Sequence, residues 1–143
     1  MGRVMNVSAM NIGEAAAASG VSAKMIRYYE AIGLLGQIER DGANYRRYSE
    51  AEVQTLRFLR RARDLGFSVE KMRELLLLWR NEHRASADVK RLALAHAAEL
   101  DRKAEAIAAM SRALHDLVAH CDGDNRPECP IIDDLVGCRA GAR

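Results

Sequence analysis

Cys121 and Cys129 bracket the segment Cys121-Asp-Gly-Asp-Asn-Arg-Pro-Glu-Cys129, with seven residues between them. Gly123 and Pro127 interrupt it and it has no helical period, so it reads as a loop. A loop of this length can bring both sulfurs to one ion. Thiolates are soft ligands that suit Cu(I), Ag(I) and Au(I), and also zinc. Zinc takes four protein ligands in structural sites and three in catalytic ones. The extra donors near this pair are His120 and Cys138. Two sulfurs alone fit a monovalent d¹⁰ ion, which accepts two-coordination. The same pair is also compatible with a redox disulfide or with two tail cysteines of no special role, because a lone pair is weaker than a four-ligand zinc signature. His120 reads better as a cation interacting with the last carbonyls of a helix. Cys138 lies in a Gly-rich tail with Arg139 and Arg143 and receives no role.

The loop needs an element to carry it. Ser86 to His120 contains no Pro and no Gly and consists mostly of strong helix formers. Val89, Leu92, His96, Leu100, Lys103, Ile107, Met110, Leu114 and Leu117 recur at steps of three and four, a heptad seam with one stutter. At 1.5 Å per residue this helix reaches roughly 50 Å, longer than a domain of this size needs for its own core. The seam therefore calls for a second copy of the chain. Ser86 is expected to cap the helix.

Composition sets the outer limits. The chain has 143 residues, 49% of them hydrophobic and 5% aromatic, with a net charge of +2. That length suits a small head plus a dimerisation element. Leu75 to Trp79 is far too short an apolar run to cross a membrane. The first 20 residues have no apolar signal core, so a cytoplasmic protein is expected. Residues 1–9 fit no element, and Met10 is a candidate start. In a cytosolic chain, three cysteines confined to the last 23 residues argue for metal or redox chemistry. Residues 40–63 carry seven arginines against Asp41, Glu50 and Glu52, whereas the chain from Ser86 onward has eight basic and ten acidic residues. That asymmetry permits a nucleic-acid partner. No nucleophile–base arrangement or cofactor loop stands out, which argues against an enzyme.

The arginine-rich part belongs to a helical head. Asn11 or Gly13 starts a short helix that Gly20 ends. Ser22 caps a second helix, from about Ala23 to Ile32, closed by Gly33. Helix, Gly-containing turn, helix is the helix-turn-helix pattern. Lys24 and Arg27 share one face of the second helix, and such a face can reach phosphates and base edges in a major groove. An ordinary hairpin with solvated charges fits this pattern as well. Gly36 to Tyr48 suggests a small β-hairpin in which Gly42 and Asn44 are the residues that tolerate left-handed backbone, lined by Arg40, Tyr45, Arg46 and Arg47. Ser49-Glu50-Ala51-Glu52 is a capping box for a third helix. Ser68 starts a fourth, with Met72, Leu75, Leu76 and Trp79 inward and Trp79 as a core anchor.

This order of elements resembles the MerR family of bacterial transcription regulators. The resemblance is carried by Ile12-Gly13-Glu14-Ala15-Ala16, Gly20-Val21-Ser22, Met25-Ile26-Arg27-Tyr28-Tyr29-Glu30, Gly33-Leu34-Leu35, Asn44-Tyr45-Arg46-Arg47-Tyr48 and Leu65-Gly66-Phe67. Ser86-Ala87-Asp88-Val89-Lys90-Arg91 and Cys121 through Cys129-Pro130-Ile131-Ile132 make it similar to the copper-efflux regulators within that family. The chain departs from the pattern at Gly36-Gln37, where close relatives often have Pro, and at Asn44, which replaces a common Gly.

The resemblance implies a mainly α protein in three parts. Residues 10–80 form a winged helix-turn-helix DNA-binding domain. Residues 81–120 form a hinge and an antiparallel dimerisation helix, and residues 121–138 a metal-binding loop and tail. It implies a homodimer on a palindromic promoter operator, acting on RNA polymerase through the DNA. Lys24, Arg27 and Tyr29 then match recognition-helix contacts, and Arg40, Tyr45 and Arg46 match wing contacts. Cys121 and Cys129 hold Cu(I), Ag(I) or Au(I), and Ser86, where zinc- and mercury-type relatives carry Cys, sets selectivity. The competing expectations are a divalent-metal sensor of the same family and a thiol redox sensor using the same cysteines.

Overall fold

The structure is a computed structural model that describes residues 9–137. The readings made for residues 1–8 and for Cys138 lie outside the described residues. The chain divides after Val89 into two units.

Each helix of the first unit starts on a side chain that accepts its otherwise unpaired amides. α1 spans Ile12–Ser19, and Asn11 and Glu14 cap each other's amides at 2.8 and 2.9 Å. α2 spans Ala23–Ala31 and is capped by Ser22. α3, Glu50–Asp64, carries the Ser49–Glu52 capping box, and α4, Val69–Arg80, is capped by Ser68. Each such cap contributes about 1 kcal/mol. Gly20 ends α1 with φ 79°, and a Cβ there would lie 2.9 Å from Arg60 Nη1. The left-handed backbone is what requires glycine here, since the Arg60 side chain could swing away from a Cβ.

The core lies where these helices meet. Ile26 and Tyr29 of α2, Leu34, Leu35, Tyr48, and Val53, Leu56 and Leu59 of α3 are at most 2% exposed. Met72 and Leu76 of α4 are also buried, and Leu75 packs against the cluster. Trp79 is 36% exposed and stacks on Phe58, with centroids 4.7 Å apart and planes 6° from parallel. It closes the edge of the core and does not anchor its interior.

The wing is a hairpin of β1, Glu39–Arg40, and β2, Arg46–Arg47, with Glu39 opposite Arg47 and Arg40 opposite Arg46. Met10 pairs with Tyr48 through bonds of 2.8 and 2.7 Å, which ties the chain before α1 to the end of the wing. Only Asn44 takes left-handed backbone in the turn, at φ 68°, and Gly42 does not. The reason is Asp41, whose Oδ1 accepts the amides of Ala43 and Tyr45, each at 3.0 Å. That side chain organises the turn around itself.

α5 runs Ser86–Ala119 and α6 Pro130–Leu135. Ser86 is the first residue of α5 and Ala85 precedes it. No residue of α5 is buried, and Ile107, Met110 and Leu114 are each more than half exposed. His120 Nδ1 lies 2.7 Å from the Asp116 carbonyl, so its proton sits on Nδ1 in this contact with the last turn.

Candidate functional site

α2 and the wing share one cleft of about 450 Å³, lined by Asn11, Ile12, Arg27, Arg40, Asn44, Tyr45, Arg46 and Arg47. Arg27 is exposed on α2, with Lys24 exposed one turn earlier. Tyr45 is 70% exposed at the wing tip. Tyr29 does not join them. It is 2% exposed and belongs to the core, while Tyr28 beside it is exposed. Successive residues on a helix point about 100° apart, so Tyr28 faces outward while Tyr29 turns into the core. Tyr29 follows Ile26 by one turn on the inner face, and the expected direct DNA contact from its ring is therefore corrected.

The wing arginines are held differently. Arg40 Nη1 donates to the Asn44 carbonyl at 3.1 Å. Arg46 Nε donates to Glu30 Oε1 of α2 at 2.8 Å, and the Tyr48 hydroxyl donates to the same oxygen at 3.4 Å. Burial, and then the Glu30 carboxylate, push the Tyr48 pKa up to about 12. Arg47 Nε donates to Asp41 Oδ2 at 3.1 Å. Asp41 is held below the ordinary carboxylate value, chiefly by the Tyr45 amide, with Ala43 and Arg47 adding to it. Glu30 and Asp41 were missed as partners in the sequence. Their signal was an acid on each element flanking an Arg-Arg pair.

A second arginine-lined cleft, of about 500 Å³, lies between the C-terminal end of α1 and α3, where Arg57, Arg60 and Arg61 face Ala17 to Gly20. Arg57 Nε donates to the Ala18 carbonyl there at 3.2 Å.

At the other end of the chain, both thiols are free and the sulfurs of Cys121 and Cys129 are 3.8 Å apart. A disulfide needs about 2.05 Å. With metal–sulfur bonds of about 2.3 Å, two sulfurs lie about 3.8 Å apart at a tetrahedral ion and about 4.6 Å apart at a linear one. The pair therefore fits one ion, and side-chain rotation covers the difference. Among the described residues no group of three or more His, Cys, Asp or Glu gathers as a metal site. Among the described residues the two sulfurs that meet in this loop are those of Cys121 and Cys129. Cys129 precedes α6, and its thiol is held below its ordinary value, first by the Ile132 amide and then by the Ile131 amide and the Cys121 thiol. These amides face the sulfur without closing a capping hydrogen bond. Burial and the Asp133 charge oppose the shift.

The family model for the MerR helix-turn-helix regulatory proteins matches residues 10–78, and the model for MerR DNA binding matches residues 53–117. Heavy metal-dependent transcription regulator 2 of Rhizobium meliloti is 60% identical over 127 residues, spanning 89% of this chain and 86% of that protein. The chain belongs to the MerR family. The regulator CueR of Escherichia coli O157:H7 is 41% identical over 135 residues, 92% of this chain and 100% of that protein. Among solved structures, the transcription regulator PbrR691 of Ralstonia metallidurans CH34 in complex with lead(II) aligns with a TM-score of 0.77 at 33% identity, covering 88% of this chain and 98% of that one. MerR regulators bind promoter DNA as dimers and are not enzymes. α5 exposes apolar residues along its length, among them Leu100, Ile107, Met110 and Leu114. No helix among the described residues is long and apolar enough to cross a membrane.

Proposed function

We propose that this MerR regulator senses a monovalent soft ion, Cu(I) and also Ag(I) or Au(I), through Cys121 and Cys129, and activates metal-efflux promoters from the cytoplasm. The observation that carries the reading is the pair of sulfurs 3.8 Å apart in a loop where no third donor gathers among the described residues. Two thiolates satisfy a monovalent d¹⁰ ion and leave a divalent ion short of ligands. The likeness to heavy metal-dependent regulators and to CueR supports a metal effector.

Arg27, with Lys24 beside it, reads the operator from α2. Arg40, Tyr45 and Arg46 hold its backbone from the wing. When bound, the ion supplies a link between the two thiolates that steadies the loop at the end of α5. Because α5 is the dimer's shared element, a change at its end alters how two heads engage one palindrome, and the promoter is bent and untwisted so that polymerase engages it. Ser86, at the start of α5, withholds a third sulfur from the partner's loop in an antiparallel dimer.

A divalent sensor is the second reading. The 3.8 Å separation equals the tetrahedral span, and a related structure was solved with lead(II). Metal titration of the purified dimer against a Cu(I) chelator and a Zn(II) chelator separates the two. The expected result is tight Cu(I) binding that Cys121→Ser or Cys129→Ser each abolishes, weak Zn(II) binding, and operator binding retained in both variants. Tight Zn(II) binding with weak Cu(I) binding contradicts the monovalent reading. Induction by oxidant in metal-free medium contradicts both and favours a disulfide switch.

A further inference from the structure

The loop between the two cysteines contains three carboxylates: Asp122, Asp124 and Glu128. Two of them meet one side chain. Arg126 Nη2 is 2.9 Å from Asp122 Oδ2 and 2.6 Å from Asp124 Oδ2. Arg126 Nε adds a bond of 2.8 Å to Asp124 Oδ2, and the Arg126 amide donates to Asp124 Oδ1 at 3.0 Å. Both oxygens of Asp124 and one of Asp122 are thus engaged by a single residue. A guanidinium presents several donors in a fixed planar fork, which suits it to hold two carboxylates at once.

Carboxylates are hard oxygen donors, and zinc accepts them at about 2.0–2.2 Å alongside thiolates. Two sulfurs plus one or two loop carboxylates make the divalent site that two sulfurs alone do not. We infer that Arg126 is a selectivity residue: it occupies Asp122 and Asp124 and so keeps hard donors away from the Cys121–Cys129 pair. The same contacts balance charge. Two thiolates on a monovalent ion leave one negative charge, and two unpaired aspartates in the same loop would add to it, whereas a divalent ion would be favoured by them.

This inference rests on the two-thiolate reading of the loop and locates its selectivity within the loop itself, separately from Ser86. The three side chains are largely solvent-exposed, at 65% for Arg126, 78% for Asp122 and 41% for Asp124. Exposed pairs are individually weak, so the effect comes from ligand availability more than from loop stability.

The test is metal affinity of the full-length dimer, measured by chelator competition with Zn(II) and with Cu(I), for wild type, Arg126→Gln and Arg126→Lys. Arg126→Gln is expected to gain about tenfold in Zn(II) affinity, the usual scale for groups that orient metal ligands, with Cu(I) affinity unchanged or slightly lower. Arg126→Lys, which keeps the charge but not the fork, falls between. Adding Asp122→Asn and Asp124→Asn to Arg126→Gln returns Zn(II) affinity to the wild-type value. If Arg126→Gln leaves Zn(II) affinity unchanged, or weakens both metals together as a loosened loop would, the inference is overturned. Failure of the underlying reading looks different: wild type itself then shows no Cu(I) binding that depends on both cysteines.

Discussion

The two ends of this chain are finished to different degrees. The head closes on itself: four capped helices enclose a core of fully buried side chains, and the wing is tied down by Glu30, Asp41 and Met10. The sensor end does not. α5 buries no residue over 34 positions, and α6 exposes Ile132 and Leu135. Its thiols face each other at 3.8 Å. The head therefore brings its own stability, whereas in the proposed function the sensor end draws its stability from a second chain and an ion. An element stabilised by what it binds is one that binding can move.

The sharpest way to break this contrast is Leu114→Asp. It places a charge in the α5 seam that only the dimer buries, where an uncompensated buried charge costs about 3–5 kcal/mol. Dimerisation and operator binding are expected to be lost while the head's own unfolding transition persists. Light scattering and circular dichroism of the full chain check both, and a dimer that survives the change removes Leu114 from the interface.

Arg27→Ala acts on the other end only. Loss of a base contact costs about 1–3 kcal/mol and relaxes specificity at one position, whereas loss of a phosphate contact lowers the salt slope. Metal affinity should stay at the wild-type value. Operator titrations across salt concentrations distinguish the two kinds of contact, and no change in affinity or slope takes Arg27 off the DNA.

The smallest effect is confined to the head. Tyr48 has a pKa of about 12 in the fold against an ordinary value of 10.0. The folded state keeps this proton after the unfolded chain has released it. The contribution is intact below pH 10 and is lost as pH rises toward about 12. Tyr48→Phe removes the group and flattens that alkaline decline. Denaturant midpoints at about pH 9 and about pH 11 for both proteins give the comparison, and parallel declines would show that Tyr48 is not the titrating group.

The same contrast explains what was legible in the sequence. Ser22, Ser49-Glu52 and Ser68 act within a few residues of themselves, so the local pattern sufficed to find the helix starts. The length of α5 was equally plain, because nothing in Ser86 to Ala119 breaks a helix. Reading failed where a side chain several residues away decided the matter. Gly42 and Asn44 were both legible as residues that tolerate left-handed backbone, but which of them takes it is decided by Asp41, which organises the turn around Asn44. Tyr29 was carried over from a motif, although its spacing from Ile26 already placed it inward. The two sulfurs were legible as a pair. That Arg126 engages the intervening aspartates was not, because no spacing rule says which way a loop arginine folds.

The most direct test of the two-thiolate, monovalent-ion account is a promoter–reporter panel in living cells, with the native operator and this regulator challenged by Cu, Ag and Au salts and by Zn(II), Pb(II) and Hg(II). The expected result is induction by the three monovalent-forming metals, lost in Cys121→Ser and Cys129→Ser, with no response to the divalent set. Induction by Zn(II) or Pb(II) through the same cysteines, with no response to copper or silver, would contradict it.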